Sequence, residues 1–300
     1  MNIINLNGAF GKEIIELNLA KVSSNDEIRK IIMTFHENGL IRIKRQKLIL
    51  EEFERVAEMF GQIKPHFLDH LRFKGHPGIL LLSNIEENNQ PIGIYEGAAF
   101  WHTDVAYEDP PNTATVVYGK KWPTEGCPTH FASTYAAYDA LTDVEKKKFE
   151  SLKVIHHYGN RSDMDENSQY SAEKLTEEQK KKIQNVYQPL VKTHPVTKRK
   201  ALYGIAGSSF GIVGMPENEA INLLDELKNH ALKPQFRTIL DIKRGDVVAW
   251  DAYCTLHKAT PQKIATGEND ARLLWRASMV GTAPVLKKME DYKKLPKSCI

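Results

Sequence analysis

The stretch Phe100-Trp101-His102-Thr103-Asp104-Val105 decides how this chain is read. On an extended strand the spacing His-x-Asp puts both side chains on one side, because strand side chains alternate with period two. An imidazole and a carboxylate side by side make two thirds of a facial metal triad. A second histidine, with open coordination positions opposite, completes a non-heme Fe(II) oxygenase site. In a chain with 11 histidines such a triplet also arises by chance as a solvated loop pair, so alone it settles nothing.

Working outward, the chain offers a second histidine late on, in Trp250-Asp251-Ala252-Tyr253-Cys254-Thr255-Leu256-His257. His257 follows the strand-like run Asp246-Val247-Val248-Ala249-Trp250, after the turn Arg244-Gly245. Arg272 opens another such run, ending at Val280. An arginine on a core strand needs an anionic partner, since a buried unpaired charge is costly. The C5 carboxylate of 2-oxoglutarate, gripped bidentately, suits it; an internal salt bridge to Asp246 or Asp251 is the alternative. Arg276, four residues on, faces the same side of a regular strand. It then needs a second anion, either an acidic group of a substrate or a protein carboxylate such as Asp69. The order His-x-Asp, distant His, then Arg reads as an iron- and 2-oxoglutarate-dependent dioxygenase.

Further motifs stand in the same order. They are Pro110-Pro111, Pro123-x-x-Gly126-x-x-Thr129, Ala136-Ala137-Tyr138-Asp139-Ala140-Leu141 and Thr193-His194-Pro195-Val196-Thr197, before Trp250-Asp251, His257 and Arg272-x-x-x-Arg276. With Trp101-His102-Thr103-Asp104, this set resembles the taurine/2,4-D dioxygenases (TauD/TfdA family) of the Fe(II)/2-oxoglutarate-dependent superfamily, from about Ile4 to Gly281. The resemblance implies that His102, Asp104 and His257 ligate iron, that Thr129 and Arg272 hold 2-oxoglutarate, and that Arg276 faces an acidic group of the substrate. Two departures stand out. The gap from His257 to Arg272 is longer than the family's usual spacing, with Gly267-Glu268-Asn269-Asp270 as an extended turn. Where sulfonate-using members place a polar amide, this chain has Gly97-Ala98-Ala99-Phe100, which argues against taurine itself.

Composition bounds the rest. The 300 residues suit one domain spanning 1–300, and a hydrophobic content of 41% supplies a sizeable core. Three cysteines, Cys127, Cys254 and Cys299, make no paired framework, which fits a reducing cytoplasm. A net charge of +3 gives no case for nucleic acid; the runs Lys146-Lys147-Lys148 and Lys180-Lys181-Lys182 read as solvated helix faces. No apolar run approaches the ~20 residues that span a bilayer, and the first residues lack signal-peptide form. Neither a membrane nor a nucleic acid is expected as partner, and a homo-oligomer is left open.

Helices are signalled by the capping box Ser24-Asn25-Asp26-Glu27 with a stop at Gly39, by Glu51 to Phe60, by Thr142-Asp143-Val144-Glu145, by Thr176 to Tyr187, and by Pro216 at the first turn of a fifth. Strand-like runs lie at 40–43, 79–83, 113–118, 129–132, 154–158, 201–205, 247–250 and 273–280. This is not the regular alternation of a parallel α/β sheet. A mainly β jelly roll with flanking helices fits better, and the resemblance implies the same double-stranded β-helix. The polar run from Arg161 to Ser171 reads as a loop, within a lid or idle insert near 159–190.

The resemblance implies Fe(II), 2-oxoglutarate and O2 as cofactor and cosubstrates, with succinate and CO2 as coproducts of oxidising an unactivated C–H bond. The carboxylate position of the triad is filled by Asp104, unlike in halogenating relatives. Candidate substrate contacts are His66, His70, Asn84, Tyr95, His156, His157, Tyr158, Arg161 and Arg276, each of which also fits an ordinary packing or surface role. Arg276 and the segment around His66 have the support of family position. An arginine with histidines favours a small anion: a carboxylate, an amino acid, a sulfonate or a sulfate ester. Two alternatives follow. Ser83-Asn84-Ile85-Glu86-Glu87-Asn88, with Gln90-x-Ile92-Gly93, is similar to isonitrile-forming members. A zinc hydrolase could use the same three ligands, but Arg272 and Thr129 would then have no cosubstrate to hold.

Overall fold

Side chains alternate between two cores along three neighbouring strands, and that alternation fixes where the site lies. In 114–118, 247–250 and 274–279, Ala114, Val116, Tyr118, Val247, Ala249, Ala277 and Met279 pack in one core, while Val117, Val248, Trp250 and Leu274 pack in another. This is the period-two signature of a sheet covered on both faces. The structure, a computed structural model, describes residues 1–66, 71–94, 99–158, 178 and 183–287.

The chain begins β1 (Asn2–Asn5), β2 (Lys12–Ile15), α1 (Asn25–Asn38), β3 (Leu40–Ile43), α2 (Leu50–Glu58), β4 (Gln62–Ile63), β5 (Arg72–Phe73) and β6 (His76–Ser83). There follow β7 (Glu86–Glu87), β8 (Gln90–Pro91), β9 (Ala114–Lys121), β10 (Thr129–Ser133), α3 (Thr134–Asp139), α4 (Asp143–Phe149), β11 (Lys153–His156) and β12 (Val186–Pro189). The rest is β13 (Val191–Thr193), β14 (Lys200–Leu202), β15 (Ser209–Ile212), α5 (Glu217–Ala231), β16 (Arg237–Leu240), β17 (Val247–Asp251), β18 (Thr255–Ala259) and β19 (Leu273–Val280).

The large sheet runs β1-β2-β3-β17-β9-β19-β6-β5, with β4 also on β19; the small one runs β16-β10-β18. All pairings are antiparallel except β2 with β3. The outer face of the large sheet packs on Ile31, Ile32 and Phe35 of α1 and on Phe53, Val56 and Ala57 of α2. Its inner face meets Phe131 and Leu240 of the small sheet. This two-sheet jelly roll with flanking helices is the expected fold class.

Local signals account for most elements. Ser24 caps α1, its hydroxyl accepting from Asp26 N, and Gly39 ends the helix at φ 69. Thr142 and Glu145 form the capping box of α4. Pro216 is the N-cap of α5, one position before the expected first turn. Tyr187, placed by periodicity at the end of a helix, lies instead in β12, paired with Ile155. Of the rest of that expected helix, residue 178 is helical, 183–185 are not and Val186 opens β12; its other residues, and most of the 159–190 insert with its 161–171 loop, lie outside the described residues.

Candidate active site

The dyad does not sit on a regular strand. His102 makes a single antiparallel bridge to His257, exchanging both backbone hydrogen bonds at 3.0 Å, and the chain then turns at Asp104. Val105 takes φ 50, a left-handed conformation that β-branched residues rarely adopt. The side chains converge through this turn and through the bridge, not through strand alternation. Close packing beneath His102 requires glycine: a Cβ at Gly207 would lie 2.6 Å from His102 Cβ.

His102, Asp104 and His257 are all buried, with their ligand atoms within 4.8 Å of one another. His102 Nε2 lies 3.5 Å from Asp104 Oδ1, and His257 Nε2 lies 3.7 Å from Asp104 Oδ2. The other ring nitrogen of His102, Nδ1, is 2.9 Å from the Phe100 carbonyl; donation there leaves the Nε2 lone pair free to ligate. His257 packs against the rings of Trp250 and Phe131, and its Nδ1 has no hydrogen-bond partner among the described residues.

Three adjacent strands of the large sheet grip the Asp104 carboxylate. Trp250 and Thr115 are register partners on β17 and β9, so both point inward beside each other. Thr115 Oγ1 donates to Oδ2 at 2.7 Å and Trp250 Nε1 donates to the same oxygen at 3.1 Å. Asn112 Nδ2 donates to Thr115 Oγ1 at 2.8 Å, which directs the hydroxyl hydrogen toward the carboxylate. From β19, Arg276 Nη2 donates to Oδ1 at 2.8 Å. Burial alone would favour the neutral acid, but the charge of Arg276, with the His257 and His102 rings beside the carboxylate, outweighs it and holds Asp104 well below the usual carboxylate range. Burial, with His102 and Arg276 nearby, pushes His257 down to about 3, keeping the imidazole neutral. Neutral imidazoles and an ionised carboxylate are the protonation states that bind a metal.

His102, Asp104, His257, Trp250 and Arg276 line a cavity of about 120 Å³ together with Thr129, Arg272, Leu82, Ile94 and Leu274. That is room for a small organic molecule and not merely one water. Thr129 points inward because it shares a register row with Ala259, two residues beyond His257 on β18. Arg272 stands just before β19. It is buried, its guanidinium lies 5.4 Å from the centre of the Trp122 ring, and its Nε has no hydrogen-bond partner among the described residues. Neither alternative carboxylate takes it: Asp246 accepts from Lys243 N, and Asp251 faces His36 and His194.

The other expected contacts are scattered. Asn84, expected to meet substrate, spends its amide on backbone instead, with Oδ1 on Arg272 N and Nδ2 on Lys263 O and Asp270 O. His66 lines a separate pocket of about 20 Å³, beside Val105, Glu108 and Ser278. His156 is held by Ser208 Oγ at 3.0 Å, its other ring nitrogen facing Gly204, where a Cβ would come within 2.6 Å. His157 packs on Phe210, and Tyr158 on Tyr107. His70, Tyr95, Arg161 and Asp69 lie outside the described residues. Asp104 is the carboxylate that Arg276 meets.

Sequence reading missed Thr115, Asn112 and the indole of Trp250 as partners of Asp104. It also missed a second His/Asp/His cluster, His36, His194 and Asp251. Here His36 Nδ1 and His194 Nε2 stand 2.7 and 3.0 Å from one oxygen, Asp251 Oδ2. His194 Nδ1 accepts from Val196 N and Thr197 N, so its Nε2 carries the proton given to Asp251. Burial opposes the charge, yet the His194 and His36 hydrogen bonds prevail and bring Asp251 down to about 2. His194 Nε2, carrying a proton, is a donor and has no lone pair for a metal, and the 2.7 Å from His36 is a hydrogen-bond distance; the ligand atoms around Asp104 stand 3.5 and 3.7 Å apart.

Comparison with known proteins agrees with this architecture. The profile of the "Taurine catabolism dioxygenase TauD, TfdA family" matches residues 2–278. A Schizosaccharomyces pombe protein whose name carries the words "alpha-ketoglutarate-dependent sulfonate dioxygenase" is 28% identical over 84% of this chain, which spans 62% of that longer protein. The alpha-ketoglutarate-dependent 2,4-dichlorophenoxyacetate dioxygenase of Burkholderia sp. (strain RASC) is 26% identical over 92% of this chain and 93% of its own. The crystal structure of AAD-2 in complex with Mn(II) and N-oxalylglycine superposes with a TM-score of 0.75 at 26% identity, covering 95% of this chain and 98% of that one. Among the described residues no helix is long and apolar enough to cross a membrane. The chain belongs to the TauD/TfdA family and is an iron- and 2-oxoglutarate-dependent dioxygenase.

Proposed function

We propose that His102, Asp104 and His257 hold Fe(II), that Arg272 and Thr129 hold 2-oxoglutarate, and that the enzyme oxidises an unactivated C–H bond of a small organic anion bound at Arg276. One observation carries this reading. A buried arginine without an ion pair among the described residues, Arg272, shares a cavity with His102, a neutral His257 and an ionised Asp104. An unpaired buried charge is costly, and a dicarboxylate reaching from the metal to Arg272 removes that cost. The mixed nitrogen and oxygen donor set with one open side suits Fe(II).

When bound, iron and 2-oxoglutarate supply the oxidation, consuming O2 and releasing succinate and CO2. The chain's own residues bind and orient. Phe100 O fixes the His102 ring, and Thr115 with Trp250 fixes Asp104 through Oδ2. Leu82, Ile94, Val117 and Leu274 wall the cavity with apolar surface. Arg276 spends one N–H on Asp104; a guanidinium has five, which leaves donors for an anionic substrate. The relative acting on 2,4-dichlorophenoxyacetate supports a carboxylate as that anion. A single catalytic domain over 1–300, in a cytoplasmic setting, completes the reading.

The test is anaerobic reconstitution with Fe(II) and 2-oxoglutarate, then a screen for succinate release over carboxylates, amino acids and sulfonates. Succinate formation stimulated by an anion, and lost in Arg272→Ala, is expected. Turnover without 2-oxoglutarate or O2 would overturn the reading in favour of a hydrolase. Product mass and the 2-oxoglutarate consumed per product separate hydroxylation from isonitrile formation.

A further inference from the structure

The excursion between β18 and β19 is built as a rigid loop. The Asp270 carboxylate accepts from Thr266 N, Thr266 Oγ1 and Gly267 N, each at 2.8 Å. Thr124 N donates to Asn269 O at 2.8 Å, and Lys121 pairs with Glu268 at 2.7 Å. Asn84, following β6, sits at the base of this loop and is 2% exposed. Its Nδ2 donates to Lys263 O at 2.9 Å and Asp270 O at 3.0 Å, and its Oδ1 accepts from Arg272 N at 2.7 Å. Its backbone adds two more ties, Ala265 N to Asn84 O at 2.8 Å and Asn84 N to Arg272 O at 3.3 Å. One residue therefore fastens both ends of the loop, and its shortest bond falls on Arg272 itself.

The Arg272 side chain has little else to aim it. Among the described residues its guanidinium makes no ion pair, and the Trp122 ring below it gives contact without direction. A register shift between Leu273 and Leu274 separates Arg272 from the regular ladder of β19. The direction of the side chain is thus inherited from the backbone at 272, and Asn84 sets that backbone. We infer that Asn84 is a positioning residue for 2-oxoglutarate: it touches neither cosubstrate nor metal, and it holds Arg272 where its guanidinium meets the distal carboxylate. This rests on the reading of Arg272 as the 2-oxoglutarate arginine.

The experiment measures 2-oxoglutarate binding to the Mn(II)-loaded full chain by calorimetry, with the Mn(II) Kd measured separately. Asn84→Leu keeps the side-chain shape and removes the three side-chain hydrogen bonds, leaving the two backbone ones. It should raise the 2-oxoglutarate Kd about tenfold or more, as expected for losing several buried hydrogen bonds, with the Mn(II) Kd unchanged. In the double variant with Arg272→Ala, Asn84→Leu should add nothing to the loss from Arg272→Ala alone, because it acts through that side chain. A residue of merely structural role would instead weaken both ligands or neither. Asn84→Asp keeps the acceptor for Arg272 N and loses both donors. It carries the test if Asn84→Leu does not fold, with a loss of about threefold to tenfold expected. Wild-type 2-oxoglutarate affinity in the folded Asn84 variant overturns the inference while Arg272→Ala still binds weakly. Wild-type affinity in Arg272→Ala overturns the reading beneath it.

Discussion

Arg276 donates from Nη2 to Asp104 Oδ1 across 2.8 Å, so the carboxylate that faces His102 and His257 is also an ion-pair partner of β19. Asp104 is buried and the Arg276 side chain is only partly exposed, and removing the arginine leaves the buried carboxylate uncompensated, at up to about 3–5 kcal/mol. A divalent ion at Asp104 would neutralise that charge. Arg276→Gln should therefore destabilise the protein strongly without metal and much less with saturating Mn(II). Urea unfolding with and without Mn(II) checks this; equal destabilisation in both conditions would mean that Asp104 and the metal do not interact.

The two His/Asp/His clusters should separate cleanly by mutation. Asp104→Ala should abolish Mn(II) binding and turnover. Asp251→Asn should leave Mn(II) affinity near wild type but cost about 3 kcal/mol or more of stability, because it removes the buried charge shared by His36 and His194. Metal titration and denaturant unfolding of both variants decide the point. Loss of metal binding in Asp251→Asn alone would reverse the assignment.

Thr115→Val keeps shape and removes the hydroxyl that donates to Asp104 Oδ2. Partners of metal ligands typically contribute about 10–100-fold in metal affinity. A fall of that order in Mn(II) affinity is expected, with recovery in Thr115→Ser. An unchanged Mn(II) Kd in Thr115→Val would show that Trp250 alone suffices to hold the carboxylate.

Acid sensitivity should trace in part to His156. Burial, with Lys192 nearby, lowers its pKa to about 3 in the fold, against about 6.5 in the unfolded chain. The unfolded state thus binds the extra proton between those values. The stability this neutral ring provides is complete above about pH 6.5 and is lost as pH falls toward 3. His156→Gln should unfold with a pH slope shallower by up to about 1.4 kcal/mol per pH unit in that window. Parallel slopes for the two proteins from pH 6 to pH 4 would refute it.

The fold was legible where period and chemistry coincide. The alternation at 247–250 and 273–280 and the caps at Ser24 and Thr142 carry their own physical signal, and β17, β19, α1 and α4 follow it. The triad was legible because its residue types are chemically unusual in that order. What the sequence hid was partnership at a distance. Thr115 reads as an ordinary strand threonine; only the registers of β9 with β17 and β19 place it under Asp104. Asn84 reads as a polar residue near a pocket, and its amide is consumed by backbone some 180 residues away in sequence. The turn at Asp104 was misread as strand because His-x-Asp has the same spacing in both.

Val105 carries backbone strain next to a metal ligand. It takes φ 50 between Asp104 and a pocket wall, in a conformation that glycine or asparagine adopts with less strain. A library sorted for heat resistance alone would enrich Gly or Asn at this position and trim the wall beside the metal ligands. Sequencing a second pool sorted for turnover would show whether valine is kept at position 105 for the pocket it lines or only carried along with its strain.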